Sequence, residues 1–276
     1  MPVYKTKEEF LRQTIEAVLK QTYADFEFLI LDDCPDDARE NIVKSYNDNR
    51  IKYFKNEKNL GITPSRNKLL DMAKGEYLAV MDHDDVSHPE RFAKETAILD
   101  KHPEIGVVSC FVHKMVANKD IKMPETDKDI KISLMRRCAL NHSAAMIRKS
   151  VLEKNHIRYE SAYSPAEDYK LWCSLIDVTE FYNIPEVLLD YRDWAENTTS
   201  RQHDKMEQAA QEIWAENKVR HQELWQKCEQ TKAEHRYIIR LFNCIPLLDI
   251  RTKGRRQTAK LFGFIPLYSV KKSIKA

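Results

Sequence analysis

The chain has 276 residues, 42% hydrophobic and 32% charged, with a formal net charge of +2, a composition that supports a sizeable core and excludes global disorder. Its five glycines, Gly61, Gly75, Gly106, Gly254 and Gly263, are far fewer than the usual ~7%. None fits G-x-G-x-x-G, G-x-x-x-x-G-K-[ST] or G-x-S-x-G, so a Rossmann fingerprint, a P-loop, a kinase glycine loop and a nucleophile elbow are excluded.

The first half alternates strand and helix signals. Thr6 and Glu9 form a capping box ahead of the stripe Phe10, Leu11, Ile15, Val18 and Leu19, which predicts a helix. Phe26–Leu31 reads as a strand ending in the turn composition Asp32-Asp33-Cys34-Pro35-Asp36-Asp37. A polar helix follows through Tyr46, then a strand at Ile51–Phe54. Thr63 reads as a helix N-cap with Pro64 at the first helical position and Gly75 after the last turn. Tyr77–Met81 is the next strand, ending in Asp82-His83-Asp84-Asp85. Ser87 and Pro89 start a further helix, and Ile105–Cys110 reads as a buried strand. This alternation implies βαβ units and a mostly parallel central sheet flanked by helices.

Residues 111–200 are mixed, and 203–228 read as one long helix with Met206, Ala210, Ile213, Trp214, Leu224, Trp225 and Cys228 near one face. Near the end, Leu241-Phe242-Asn243-Cys244-Ile245-Pro246-Leu247 recurs twenty residues later as Leu261-Phe262-Gly263-Phe264-Ile265-Pro266-Leu267. Residues 232–276 carry eleven Lys/Arg against Glu234 and Asp249, a surplus of +9 that leaves −7 for residues 1–231. The expected organisation is therefore 1–110 and 111–200 as two halves of one α/β domain. A helix over 201–230 and a basic amphipathic tail over 231–276 extend it. The six cysteines are scattered without a C-x-x-C, the N-terminus is charged, and no stretch approaches 18 apolar residues. The expectation is a reduced, cytoplasmic protein without a membrane span.

Two acidic clusters follow apolar strands directly: Asp32-Asp33 and Asp82-His83-Asp84-Asp85. In an open α/β sheet, ligands bind beyond the carboxyl ends of the strands, so both clusters share one rim. Carboxylates gathered there repel one another unless a cation intervenes. Oxygen ligands without cysteine favour Mg²⁺ or Mn²⁺. A third pair, Glu167-Asp168, opens a helix continuing through Leu171-Trp172, where the helix dipole alone favours acids.

Met1-Pro2-Val3-Tyr4, Gln21-Thr22-Tyr23, Leu31-Asp32-Asp33, Asn59-Leu60-Gly61, Arg66-Asn67, Ala73-Lys74-Gly75-Glu76-Tyr77, Asp82-His83-Asp84-Asp85, Glu167-Asp168-Tyr169 and Leu171-Trp172 occur in that order. Together they resemble the family 2 glycosyltransferases of the GT-A fold, over residues 1 to about 200. The resemblance implies an inverting, metal-dependent transfer of a sugar from a nucleotide sugar, a UDP-sugar, to a hydroxyl of a glycan or glycolipid acceptor such as lipopolysaccharide or capsule. It implies that Asp33 pairs with the uracil ring and that Pro2, Val3 and Tyr4 lie beneath the nucleotide. Asp82 is placed near the ribose, Asp84 on the metal and Asp168 as the catalytic base. Arg66 is assigned to support of the nucleotide, and His142 and Glu167 to the acceptor side.

Two features depart from the family pattern. Relatives carry more apolar residues ahead of the Met-Pro-Val-Tyr stretch, and many place a histidine shortly after the counterpart of Tyr191-Arg192, whereas here none occurs until His203. An inactive paralogue serving as a membrane-associated partner is the alternative these departures leave open. A nucleotidyltransferase would need a basic phosphate loop near the first strand, for which Lys5 and Lys7 are poor evidence. The tail's apolar patches and bases suit an anchor on the anionic inner membrane surface, making the protein peripheral on the cytoplasmic face. Packing of the two Leu-Phe patches on protein is the competing reading. No nucleic-acid-binding motif accompanies the basic charge.

Overall fold

The computed structural model describes residues 1–36, 39–194, 202–232, 236–241, 245–253, 256–261 and 265–271, with side-chain detail ending at residue 230. The chain divides into two compact units, Met1–Arg220 and His221–Ala276.

The first unit begins with a parallel three-stranded sheet: β1 (Pro2–Val3), β2 (Phe28–Asp32) and β3 (Ile51–Lys55) in the order β1-β2-β3. All five residues of β2 are buried, as a run of Phe-Leu-Ile-Leu requires of a strand covered on both faces. Helix α1 (Glu8–Leu19) buries Leu11, Thr14, Ile15, Ala17 and Val18. The expected capping box is not formed: the N-cap is Lys7, and Thr6 is buried with an unpaired hydroxyl. After α2 (Arg39–Lys44), α3 spans Ile62–Met72. It starts two residues earlier than the Thr63-Pro64 signal predicts, because Gly61 at φ 87° takes the cap position. That left-handed backbone is one glycine adopts readily.

The second half is a six-stranded mixed sheet. Strands β4 (Tyr77–Ala79), β5 (Val86–Ser87), β6 (Ile105–Lys114), β7 (Lys119–Ile121), β8 (Met146–Arg148) and β9 (Glu180–Tyr191) run in the order β4-β8-β6-β9-β5, with β7 on β6. Only β6 and β9 pair in parallel here, so the parallel character belongs mainly to the first three strands. Helices α4 (Arg91–Lys101), α5 (Asp127–Leu134), α6 (Lys149–Lys154) and α7 (Glu167–Ser174) complete the layer, and α8 (His203–Arg220) follows. A core built from Leu11, Ile15, Ile30, Leu99, Val108, Cys110 and Leu189 reaches both sheets.

Strand β1 is two residues long. Its ladder, Pro2 opposite Leu31 and Val3 opposite Asp32, stops at Met1, whose amino group donates to the Leu29 carbonyl at 2.8 Å. A cavity of about 650 Å³ lies there, lined by Phe28 and Leu29 of β2, Tyr77, Leu78 and Ala79 of β4, and Val18, Phe92 and Met146.

The second unit opens with α9 (Gln222–Lys232). The single helix predicted over 203–228 is thus two. His221 falls between them, and its carbonyl accepts from Trp225 N–H to start the new helix. Four antiparallel strands follow: β10 (Arg236–Leu241), β11 (Ile245–Lys253), β12 (Arg256–Leu261) and β13 (Ile265–Lys271). The twenty-residue repeat is a β-hairpin made twice. Each copy carries its irregularity at the same place, between Ile239 and Arg240 and between Ala259 and Lys260. In each, the proline pairs just past it, Arg240 with Pro246 and Lys260 with Pro266. The turn residues 242–244 and 262–264, like 195–201, lie outside the described residues.

Candidate active site

Val3 ends β1 beside the end of β2, where its carbonyl accepts from Asp33 N–H at 2.8 Å. Pro2 and Val3 are buried and Tyr4 is 42% exposed, so the strand end opens on Tyr4. The Asp33 carboxylate is buried and holds the next turn in place. Oδ1 accepts from Asn56 Nδ2 and Leu60 N–H, and Oδ2 from Gly61 N–H, each at 2.8 Å. A carboxylate can accept about four such bonds, so one further donor can be received. Asp32 is wholly buried, bonded to Cys34 N–H and the Tyr53 hydroxyl, and serves the fold.

Arg66, one turn into α3, joins the two halves of the site. Nη1 pairs with Glu167 at 2.6 Å and Nη2 with Asp82 at 3.1 Å, while the guanidinium lies over the Tyr159 ring. Its side chain is only 12% exposed, and despite burial its pKa is raised by the surrounding acids, Asp82 foremost. Burial works against ionisation of Asp82, but Arg66, aided by His142 and His83, brings it below the usual carboxylate value. Glu167 is buried, with Oε2 unpaired.

Asp168, in the first turn of α7, accepts from Tyr169 N–H through Oδ1. Burial, with the adjacent Glu167, pushes its pKa up to about 6, and Arg66 opposes the shift. A carboxylate so poised is charged at neutral pH and more basic than an ordinary aspartate, which suits proton abstraction.

Of the Asp82-His83-Asp84-Asp85 cluster, Asp85 is buried and belongs to the scaffold. Its pKa rises to about 8 by burial and the neighbouring Asp84, and its Oδ1 accepts from Arg192 N–H. Asp84 is raised by burial and by Asp82, and its Oδ2 accepts from the Trp194 indole N–H at 3.0 Å. Trp194 in turn packs edge-on against Phe10, with the Lys7 ammonium 4.7 Å from its ring centroid. Shortly after Tyr191-Arg192, where a histidine is expected, the side chain that meets Asp84 is an indole.

Among the described residues, no three His, Cys, Asp or Glu side chains gather to hold a metal unaided. What Asp82 and Asp84 offer is a pair of oxygen donors at one rim. That set fits a cation of the Mg²⁺ type, which keeps its waters and is completed by substrate phosphates.

His142 lies in the 3₁₀ turn His142–Ala144 and is only 8% exposed. Its Nε2 meets the Tyr159 hydroxyl at 2.8 Å, and its ring packs on Trp172. Burial and the Arg66 charge lower it to about 3, so it stays neutral. The structure makes it a wall of the site beneath Tyr159. Tyr159 itself is clamped by Asn67, which bonds both its N–H and its carbonyl.

Thus Asp82, Arg66, Glu167 and Asp168 come together, Asp84 stands next to them, and Asp33 occupies the neighbouring strand end. Sequence reasoning missed the structural parts of Tyr159, Asn56 and Trp194. Only the composition after Tyr191-Arg192 pointed to the last.

The site thus gathers acids from beyond the ends of β2 and β4 and from the first turn of α7, with the buried Arg66 between Asp82 and Glu167. The chain belongs to the family described as Glycosyl transferase family 2, which matches residues 1–156. An uncharacterized glycosyltransferase of Methanocaldococcus jannaschii, MJ1057, is 33% identical over 201 residues, 70% of this chain and 69% of that protein. The Escherichia coli UDP-Glc:alpha-D-GlcNAc-diphosphoundecaprenol beta-1,3-glucosyltransferase WfgD is 28% identical over 184 residues, 64% and 68% of the two chains. Among solved structures, residues 1–349 of Staphylococcus aureus TarS in complex with UDP-GlcNAc share the fold at a TM-score of 0.63 and 19% identity, covering 78% of this chain and 69% of that one.

Proposed function

We propose that the protein transfers a sugar from a UDP-sugar to a hydroxyl of a cell-surface glycan acceptor, with inversion, at the cytoplasmic membrane face. The observation that carries this reading is the buried Arg66, paired at once with Asp82 on the donor side and Glu167 on the acceptor side. It holds Asp168 within one charge network with the strand-end acids.

In this reading, Asp33 uses its remaining lone pair on the uracil N3–H, and Pro2, Val3 and Tyr4 support the nucleotide. Asp168 takes the proton of the acceptor hydroxyl as that oxygen bonds to the anomeric carbon and the bond from that carbon to the diphosphate breaks. Asp84, with Asp82 beside it, would hold Mg²⁺ or Mn²⁺, which supplies counter-charge to the leaving nucleoside diphosphate. Arg66 favours the ionised form of Asp82 and holds both carboxylates in place. The activity for which WfgD is named, on a diphosphoundecaprenol-linked sugar, favours a lipid-linked acceptor.

The indole bonded to Asp84 favours a second reading, an inactive paralogue that binds nucleotide without turnover. Calorimetry with UDP, with and without Mn²⁺, run beside donor hydrolysis, separates the two. Metal-enhanced UDP binding with hydrolysis that stops in EDTA is expected. Binding without hydrolysis supports the paralogue, and full turnover in EDTA overturns the metal-dependent mechanism.

A further inference from the structure

The ladder of the C-terminal sheet sorts its residues by charge. Residues opposite one another in an antiparallel ladder share a face, and alternate residues of one strand fall on opposite faces. The pairings Arg236 with Arg251, Ile238 with Asp249, Arg251 with Thr258, Asp249 with Lys260, Lys253 with Arg256 and Arg256 with Lys271 put six bases on one face. They are Arg236, Arg251, Lys253, Arg256, Lys260 and Lys271, with Asp249 the single acid among them. The other face takes Tyr237, Ile239, Leu248, Ile250, Ala259, Leu261, Tyr268 and Val270 and no charged residue. Arg240 pairs beyond the irregularity and stands apart.

We propose that this basic face is the docking surface for anionic phospholipid headgroups, held by charge alone. It rests on the reading of a membrane-face enzyme given above. Every strand contributes at least one base, so the positive charge crosses the whole sheet, about 15 Å from first strand to last. An extended plane of negative charge matches that distribution. A single phosphate would be met by convergent bases instead. Both tyrosines of the described strands fall on the opposite face, so among the described residues the basic face has no stacking platform of the kind single-stranded nucleic acid uses. The two faces also change what the sequence leads one to expect. Among the described strand residues, the ladder puts most apolar positions on the side away from the bases, Ile238 excepted.

The test is binding of the full-length protein to vesicles of phosphatidylglycerol and phosphatidylcholine. Each base near such a surface is worth roughly fivefold in partition. Arg251→Gln with Lys260→Gln should therefore weaken binding about 25-fold. Thr252→Glu with Gln257→Glu makes the same change in net charge on the opposite face and should weaken it several-fold less. Binding should be absent on pure phosphatidylcholine and lost at 1 M salt, where the Debye length is ~3 Å. Equal losses in the two double variants overturn the face assignment. Binding that survives 1 M salt means apolar insertion and overturns the charge-only contact. Binding to duplex DNA or heparin with none to the vesicles overturns the lipid partner. Donor hydrolysis by the same proteins is followed alongside. An unsubstituted protein that hydrolyses donor but does not bind the anionic vesicles sinks this proposal and leaves the catalytic reading standing, whereas one that binds the vesicles without hydrolysing donor does the reverse.

Discussion

Replacing Asp168 by Asn tests the base directly, since it keeps the shape and removes the proton acceptor. Loss of a general base costs ~10²–10⁴-fold in rate, or roughly 3–5 kcal/mol of transition-state stabilisation. The structure adds a sharper signature. With Asp168 raised to about 6, the wild-type rate should fall as the base takes up a proton, roughly tenfold between pH 7.5 and pH 5. An aspartate at the ordinary ~3.9 would lose only about a tenth over that interval. The sign of the Arg66 effect is also fixed. Its charge opposes the rise in Asp168, so Arg66→Gln should move the acid limb to higher pH, while UDP affinity in Asp168→Asn should hardly change. The assay is a kcat profile from pH 4.5 to 8.5 on donor and acceptor, with calorimetry for UDP. An acid limb near 4, or one that survives in Asp168→Asn, refutes the assignment. If Glu167→Gln loses turnover and Asp168→Asn keeps it, the base is one residue earlier.

Glu95 is wholly buried with neither oxygen hydrogen-bonded, its Oε2 3.9 Å from Arg91 Nε, and burial lifts it to about 8 despite Arg91. Its neutral form adds stability that is fully present below its unfolded value and lost as pH rises through about 8. Melting temperature should therefore fall from pH 5 to pH 8, and fall less in Glu95→Gln, with Asp85 leaving a residual slope; parallel curves would remove Glu95 as the cause. Fusing a four-residue apolar segment ahead of Met1 should fill the cavity between β2 and β4, at ~1.5–3 kcal/mol per buried Val or Ile. A raised melting temperature and tighter UDP binding are expected, and an unchanged value of both shows that the segment does not enter.

The strand ends were legible because a buried run such as Phe28–Leu31 followed by acids and proline has few other conformations. The acids at the start of α7 were legible for the same local reason. Arg66 was placed on its helix, but its partners are 16 and 101 residues away, and no local signal joins them. The start of α3 was misplaced because Thr63-Pro64 is a strong local cap signal. It was outcompeted by Asp33, 28 residues upstream of Gly61, which takes the Leu60 and Gly61 N–H groups. Trp194 carried no helical or strand pattern, and only tertiary structure brings it to Asp84, 110 residues earlier. The repeat was visible as a repeat, but its strands were masked by a reading of apolar patches and bases as separate blocks. The alternation in Arg251-Thr252-Lys253 and Arg256-Gln257-Thr258 is the period-two signal that identifies them.

Because one repeat is one hairpin, the C-terminal sheet has a natural unit of length. Insertion or removal of twenty residues changes the strand count by two and leaves the Leu248–Leu261 type of pairing intact between successive hairpins. A one-residue change within a strand instead reverses which residues face which side from that point on. Variation in this region should therefore come in whole hairpins. Each gained hairpin widens the sheet by about 10 Å and extends both the charged and the apolar side, so breadth and charge are tied to a single integer.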